Sequence, residues 1–239
     1  MTDHLDVAAP AGPRGDGVGV VGGVLALLAP SRCLACRVRA DAPWCPTCLE
    51  EVRPAPVGCP RCAAPRGSGH ACWPPDAPID AMIAVFDYRG PIAAAVVTAK
   101  IGGARRAWPV LASMLAQRVT AADPDVDAVT WVTTPRRRVR ERGLDHAEAM
   151  ACVVAHAIER PPVRLLSAQP SRGGGDRYHA TTALPGTNLL LVDDVVTTGA
   201  TAWRAASALR QAGAGRVVLA VLARAGSHPL GVATRGTRP

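Results

Sequence analysis

Beyond residue 79 two hydrophobic rhythms take turns along the chain. Residues 80–88 (DAMIAVFDY) and 127–133 (DAVTWVT) are short apolar runs, the second β-branched, and they predict strands. Residues 91–100 and 144–159 predict helices, as do 105–119, where Pro109 stands near the start or kinks the helix. Residues 163–166 predict a short strand. The continuous apolar run 189–192 suits a strand covered on both faces. A helix is expected over 201–211, ended by Gly213, and a further strand over 216–222. Strands alternating with helices predict an α/β fold, a parallel sheet with helices on its faces.

The ends of the chain do not follow this rhythm. Residues 1–30 are expected to form an amino-terminal leader, partly helical or disordered, and 226–239 a loose tail rich in Gly, Arg and Pro. Residues 18–28 (VGVVGGVLALL) are apolar but short, glycine-interrupted and preceded by Asp3, Asp6 and Asp16. A secretory signal needs a basic leading segment and a spanning helix needs roughly 18 apolar residues. Neither is present, so the expectation is a cytoplasmic protein without membrane insertion.

Residues 31–78 form a third region, defined by cysteine. Seven of the eight cysteines fall here, as Cys33-x-x-Cys36, Cys45-x-x-Cys48, Cys59-x-x-Cys62 and His70-x-Cys72. A CxxC turn brings two thiolates to one tetrahedral metal, and a second pair closes the site. A reducing compartment disfavours the disulfide alternative, so the pattern predicts a structural Zn²⁺ module. Seven cysteines and His70 fill two four-ligand sites, or one site with spare thiols; spacing does not choose the pairing. The module holds too little apolar sequence to fold unaided, and metal binding is expected to supply the difference. It ends in the stiff segment 73–78 (WPPDAP), read as a linker before a domain spanning 79–225. Cys152, in the apolar run AMACVVAHAI, reads as core.

Charge changes the picture only modestly. The formal net charge of +8 comes almost entirely from arginine, since Lys100 is the only lysine. It suits an anionic partner, whether phosphate ligand, nucleic acid or acidic surface.

The sharpest chemistry lies in NLLLVDDVVTTGATA, residues 188–202. In a parallel α/β sheet, ligands bind at the carboxyl ends of the strands, and Asp193 and Asp194 are expected at such an end. The following loop, Thr197, Thr198, Gly199, Ala200 and Thr201, opens a helix whose backbone N–H groups and hydroxyls make a phosphate cradle. Gly199 allows close approach or a positive φ. Adjacent acids accept hydrogen bonds from a vicinal diol, so the pair and the loop together describe a sugar phosphate. Neither common nucleotide loop fits, because there is no GxxxxGK[ST] and no GxGxxG after a strand.

LLLVDDVVTTGAT resembles the signature of the type I phosphoribosyltransferases, which bind 5-phosphoribosyl-1-pyrophosphate (PRPP). With the cysteine module, YRGPIAAAVVTAKIGGARR, VTTPRRRVRERGLDHAEAMA and the Gln169…Arg177 pair, the chain resembles the ComF family over about residues 24–225. That resemblance implies a parallel-sheet type I phosphoribosyltransferase domain behind a small zinc module, and a link to competence and DNA uptake. It implies ribose contacts for Asp193 and Asp194, 5′-phosphate contacts for Thr197–Thr201, and catalytic roles for Lys100 and for Arg142 in the RERG element. The implied chemistry displaces pyrophosphate at the anomeric carbon by a nitrogen nucleophile, with Mg²⁺ and basic side chains stabilising the leaving group. Lys100, Arg136, Arg137, Arg138, Arg140 and Arg142 are candidates for that side. At residues 142–146 and at Ala180 the sequence departs from the family pattern, and the acceptor site is left open.

A second reading makes the chain a non-catalytic single-stranded DNA-binding or assembly protein, partnered with DNA-uptake machinery, that keeps the pocket. Basic charge and a metal module favour it. Scarce aromatics, one Phe, two Tyr and five Trp, weigh against stacking on bases. His146 and His179 read as structural or surface residues.

Overall fold

The computed structural model describes residues 32–56, 58–65, 72–101, 107–135, 138–140, 145–170 and 176–225. The expected leader and tail lie outside the described residues, as do His70, Arg136, Arg137 and Arg142. In chain order the elements are α1 (Pro46–Glu51), β1 (Ala81–Asp87), α2 (Gly90–Ile101), α3 (Ala107–Ala122), β2 (Ala128–Trp131) and α4 (His146–Ala157). Then follow β3 (Leu166–Pro170), β4 (Asp176–Ala180), β5 (Leu189–Val196), α5 (Ala200–Gln211) and β6 (Val217–Arg224).

Four strands form a parallel sheet in the order β1-β6-β5-β2. Its centre is apolar on both faces because helices cover both. Leu190, Val192, Val218 and Ala220 join α2, α3 and α4 in one core, with Leu111 and Met150 fully enclosed. Leu189, Leu191, Leu219 and Val221 point the other way, onto Ala205, Ala206 and Leu209 of α5. Each fully buried leucine or methionine contributes about 1.5–3 kcal/mol relative to exposure.

Both sheet edges are covered. Along β1, Ala55 N–H donates to Val85 O at 2.7 Å and Asp87 N–H to Arg53 O at 3.0 Å. Along β2, Val163 N–H donates to Val129 O at 2.8 Å and Val129 N–H to Pro161 O at 3.0 Å. The strand expected over 163–166 is therefore reduced to a bridge between Val129 and Pro162. Pro161 and Pro162 cannot donate ladder hydrogen bonds, and the next strand starts only at Leu166.

Three further differences from expectation bear on function. β3 and β4 form an antiparallel pair, from Leu166↔Ala180 to Pro170↔Asp176, that no apolar run announced. β5 continues through Asp193 and Asp194 to Val196, still in register with β6 as far as Arg224, so both acids are strand residues. Cys152 is exposed rather than core. The buried stripe of α4 runs through Ala147, Met150, Ala151 and Val154, and Cys152 falls on the opposite side of the helix. Pro109 lies in the first turn of α3, where its missing N–H costs nothing.

Candidate functional site

Cys33 and Cys59 open turns of the same shape. Arg37 N–H donates to Cys33 O at 3.0 Å, and Ala63 N–H to Cys59 O at 2.7 Å. Cys33 and Cys59 N–H donate in turn to Val38 O and Ala64 O, each at 2.8 Å. Arg37 (φ 67°) and Ala63 (φ 53°) occupy the left-handed region, which costs a non-glycine residue roughly 1–2 kcal/mol. Antiparallel bridges Arg32↔Arg39 and Gly58↔Pro65 close the two turns. Glycine is required at 58, because a Cβ there would meet Ala64 O at 1.8 Å.

These turns sort the thiols that spacing left unpaired. The sulfurs of Cys33, Cys36, Cys45 and Cys48 lie within 4.8 Å of one another, and those of Cys59, Cys62 and Cys72 form a second, three-membered group within the same distance. Cys36–Cys45 and Cys59–Cys72 are both 3.6 Å apart. That is far beyond a disulfide, at about 2.05 Å. It is close to the ~3.8 Å edge of a tetrahedron with sulfurs about 2.3 Å from a central metal. Burial pushes Cys48 and Cys62 up to about 12. At Cys33 burial also works upward, but N–H groups of Cys45, Cys36 and Ala35 outweigh it and leave the thiol at about 6. Both groups are suited to hold a metal ion, the first with four sulfurs, the second with three; His70 lies outside the described residues.

The clusters grip opposite faces of the sheet. Leu34 and Trp44, beside the first, belong to the core under α2, α3 and α4. Cys62, Ala63, Ala64 and Trp73 belong to the core under α5. The segment read as a linker carries Trp73 and Ala77 into that core, where Trp73 meets Trp203 of α5 edge-on, centroids 6.4 Å apart.

At the carboxyl end of the sheet a cavity of about 230 Å³ collects the polar groups. Lys100, Asp193, Asp194 and Thr201 line it. Lys100 lies in the last turn of α2 and places Nζ 2.6 Å from Asp194 Oδ2. Its neighbour Ala99 is fixed by Trp108, whose Nε1 donates to Ala99 O at 3.2 Å. Asp194 N–H donates to Asp193 Oδ1 at 2.9 Å. Burial first, and the charge of Asp194 second, hold the Asp193 carboxyl well above the usual carboxylate range, against Lys100 and the Asp194 N–H. Thr197, Thr198 and Gly199 connect β5 to α5, with Gly199 at φ 78°. Gly199 offers α5 no capping side chain, Thr198 Oγ1 accepts from Ala200 N–H at 3.4 Å, and no acid stands in the first turn of this helix.

Asp145 beside the cavity, and Asp176 and Tyr178 in its lining, escaped the sequence reading. Asp145 is buried at the start of α4 and, instead of capping it, accepts from Thr134 N–H at 3.1 Å and Thr134 Oγ1 at 3.3 Å. Burial raises its pKa. Asp176 and Tyr178 enter from β4, and Arg138 reaches Asp176 at 2.9 Å rather than sitting free in solvent. Alternation in DRYHA, buried at Asp176 and Tyr178 and exposed at Arg177 and His179, was the available signal. His146 also lines the cavity, stacked on Trp108 at 4.3 Å. Gln169 and Arg177, distant in the motif, are cross-strand partners. Arg140 is exposed, and Arg142 lies outside the described residues.

Comparison with known proteins fits this geometry. Residues 137–233 match the phosphoribosyl transferase domain family. The chain is similar to the DNA utilization protein YhgH of Salmonella typhi, 27% identical over 226 residues, covering 83% of this chain and 99% of that protein. The same protein of Salmonella typhimurium is 26% identical over the same shares. Among solved structures, a purine phosphoribosyltransferase from Pyrococcus horikoshii aligns with 51% of this chain and 75% of its own, at 17% identity and a TM-score of 0.37. A glutamine PRPP amidotransferase from B. subtilis aligns with 46% of this chain and 25% of its own, at 26% identity and a TM-score of 0.36. The class is thus a parallel-sheet α/β protein of type I phosphoribosyltransferase fold with an amino-terminal cysteine cluster suited to a metal. The domain match over residues 137–233 and the similarity over 83% of the chain together support a ComF-type phosphoribosyltransferase-like protein. Among the described residues no helix is long and apolar enough to cross a membrane.

Proposed function

We propose that the chain binds PRPP with Mg²⁺ and transfers its phosphoribosyl group to a nitrogen acceptor. The observation that carries this reading is the adjacent pair Asp193–Asp194, with Lys100 2.6 Å from Asp194, standing over the Thr197–Thr201 loop. In this reading Asp193 and Asp194 accept from the ribose hydroxyls, and the N–H groups and hydroxyls of residues 197–201 hold the 5′-phosphate. Lys100 and Arg138 attract the diphosphate, with Arg142 a further candidate. The acceptor nitrogen forms its bond to C1 as the C1–O bond breaks, the diphosphate leaves with the electron pair, and the proton lost from the acceptor N–H passes to solvent. Bound Mg²⁺ neutralises charge on that leaving group. Lys100 must release Asp194 as the sugar arrives, so it serves both as resting counter-ion and as ligand contact. Zn²⁺ on the two thiol groups serves the fold, in which the proposed units 31–78 and 79–225 share both hydrophobic cores.

Titration calorimetry of PRPP with Mg²⁺ tests the reading. Asp193→Asn with Asp194→Asn should cost at least about tenfold in affinity per acid, since hydrogen bonds to charged groups are worth about 1.5–3 kcal/mol and 1.4 kcal/mol is a decade. Equal affinity in wild type and double variant, or no binding by zinc-loaded wild type, refutes it. DNA handling is a second reading, suggested by the name of the Salmonella protein and by exposed Arg32, Arg37, Arg39 and Arg53 around the first thiol cluster. It requires single-stranded DNA affinity that falls steeply with salt.

A further inference from the structure

β4 gives the cavity a second acidic wall. Asp176 and Tyr178 share the inward face of the strand. The Asp176 side chain is only 9% exposed, yet it is half satisfied. Oδ2 accepts from Arg138 Nη1 at 2.9 Å, while Oδ1 is buried with no hydrogen-bond donor among the described residues. The main chain at this point is anchored separately, because Arg204 Nε of α5 donates to Asp176 O at 3.1 Å. The carboxylate is therefore held in place even if Arg138 leaves.

Lys100 and Arg138 are the lysine and arginine lining the cavity among the described residues, and each rests on an acid: Lys100 on Asp194, Arg138 on Asp176. A diphosphate carries more charge than either carboxylate and matches the guanidinium fork. Arg138 has a half-exposed side chain free to turn toward it. Once it does, a buried carboxylate is left with no donor among the described residues on either oxygen, and low dielectric makes that group demand one.

We propose that Asp176 determines acceptor specificity by accepting a hydrogen bond from an N–H of the incoming nucleophile after Arg138 has turned to the diphosphate. This rests on the phosphoribosyl reading above and adds the acceptor class to it: a neutral heterocycle bearing N–H donors and no carboxylate. Asp176, Asp193 and Asp194 all line the cavity, and a carboxylated acceptor would meet repulsion from each of them. Tyr178 adds an aromatic ring on the same wall, and burial keeps its hydroxyl protonated as a donor for a ring carbonyl. The arrangement also sets an order, sugar diphosphate before acceptor.

The probes are adenine, guanine, orotate and nicotinate, titrated into the full zinc-loaded chain with and without Mg²⁺ and a carbocyclic PRPP analogue that cannot react at C1. Adenine or guanine should bind the loaded protein at least about tenfold more tightly than the two carboxylated probes, and about tenfold more tightly than either binds the free protein. Asp176→Asn should lower that base affinity about tenfold or more while holding analogue affinity within about threefold. Arg138→Gln frees the same carboxylate without altering it, and should let the base bind the analogue-free protein nearly as well as the loaded wild type. Comparable affinity for carboxylated probes, no probe binding to the loaded protein, or unchanged base affinity in Asp176→Asn overturns the assignment. Failure of the analogue itself to bind wild type overturns the phosphoribosyl reading and the assignment with it.

Discussion

Two regions of this molecule bring like groups together against their mutual repulsion. At Cys33, Cys36, Cys45 and Cys48, and again at Cys59, Cys62 and Cys72, sulfurs lie within 4.8 Å of one another. At the end of β5, Asp193 and Asp194 are adjacent, with Asp145 and Asp176 nearby. The surroundings differ. Each thiol group is clamped by a turn with a left-handed residue and sits against a hydrophobic core, so whatever ion it holds is bound into the fold. The acids face an open cavity and are balanced by two long cationic side chains. A metal ion bound at folding would relieve the repulsion among the thiolates once. Repulsion among the acids persists until a ligand arrives, and the free protein carries that cost as a lower stability.

The largest expected effect is therefore on the thiol side. Structural zinc is worth roughly 10–16 kcal/mol in small zinc modules. Because the two clusters are built into opposite faces of one sheet, chelation or Cys33→Ser with Cys45→Ser should lower the melting temperature of the whole chain by more than about 10 °C. Elemental analysis should find one or two zinc ions per chain. Zinc-free protein that melts at the same temperature would break the contrast between the regions.

The next effect probes the path between them. Trp73 follows Cys72 directly and touches Trp203 in the helix that opens from the Thr197–Gly199 loop. Trp73→Ala should cost about 3–5 kcal/mol of stability, as a buried Trp-to-Ala change does. PRPP affinity at a temperature where the variant is fully folded should also fall, because the first turns of α5 lose that support. Full retention of affinity would make the second thiol group purely a matter of stability.

Much of this contrast was legible beforehand, and the illegible part has a common cause. β5 and β6 are buried on both faces and read as continuous apolar runs, and the acid pair with its Thr-Thr-Gly loop is a local pattern. Lys100 became visible only through family resemblance, since nothing nearby in sequence announces its contact with Asp194. Asp176 and Arg138 are 38 positions apart, and each is an ordinary polar residue until the fold joins them. β3 and β4 are short and half polar, giving no run to detect. The cysteine spacing allowed several pairings, and only the backbone turns chose one. Cys152 misled because AMACVVAHAI is apolar nearly all round the helix, which conceals its outward side.

The smallest effect tests the acids by titration. Burial, with the charge of Asp194 beside it, raises the folded-state pKa of Asp193 well above its ordinary value of 3.8, and burial raises Asp145 in the same direction. A carboxyl whose pKa is raised by folding binds its proton more tightly in the folded state. Its contribution is thus fully present below the unfolded pKa and is lost as pH rises through the folded one. Ligand-free protein should accordingly lose stability as pH climbs from about 4 toward neutrality, over and above its other titrations. Asp193→Asn removes the charge, keeps an oxygen for the Asp194 N–H, and should flatten this slope. At neutral pH the variant should melt roughly 2–4 °C higher than wild type, the shift that about 1 kcal/mol makes in a chain of this size. Mg²⁺ with PRPP should reverse the order, stabilising wild type and leaving the variant behind, because only the charged pair offers its full attraction to the ligand. Differential scanning calorimetry across pH, with and without ligand, reads both signs. An Asp193→Asn variant that melts lower than wild type at neutral pH would mean the acid is stabilising in the free chain, and the acid pair would then resemble the thiol clusters instead of opposing them.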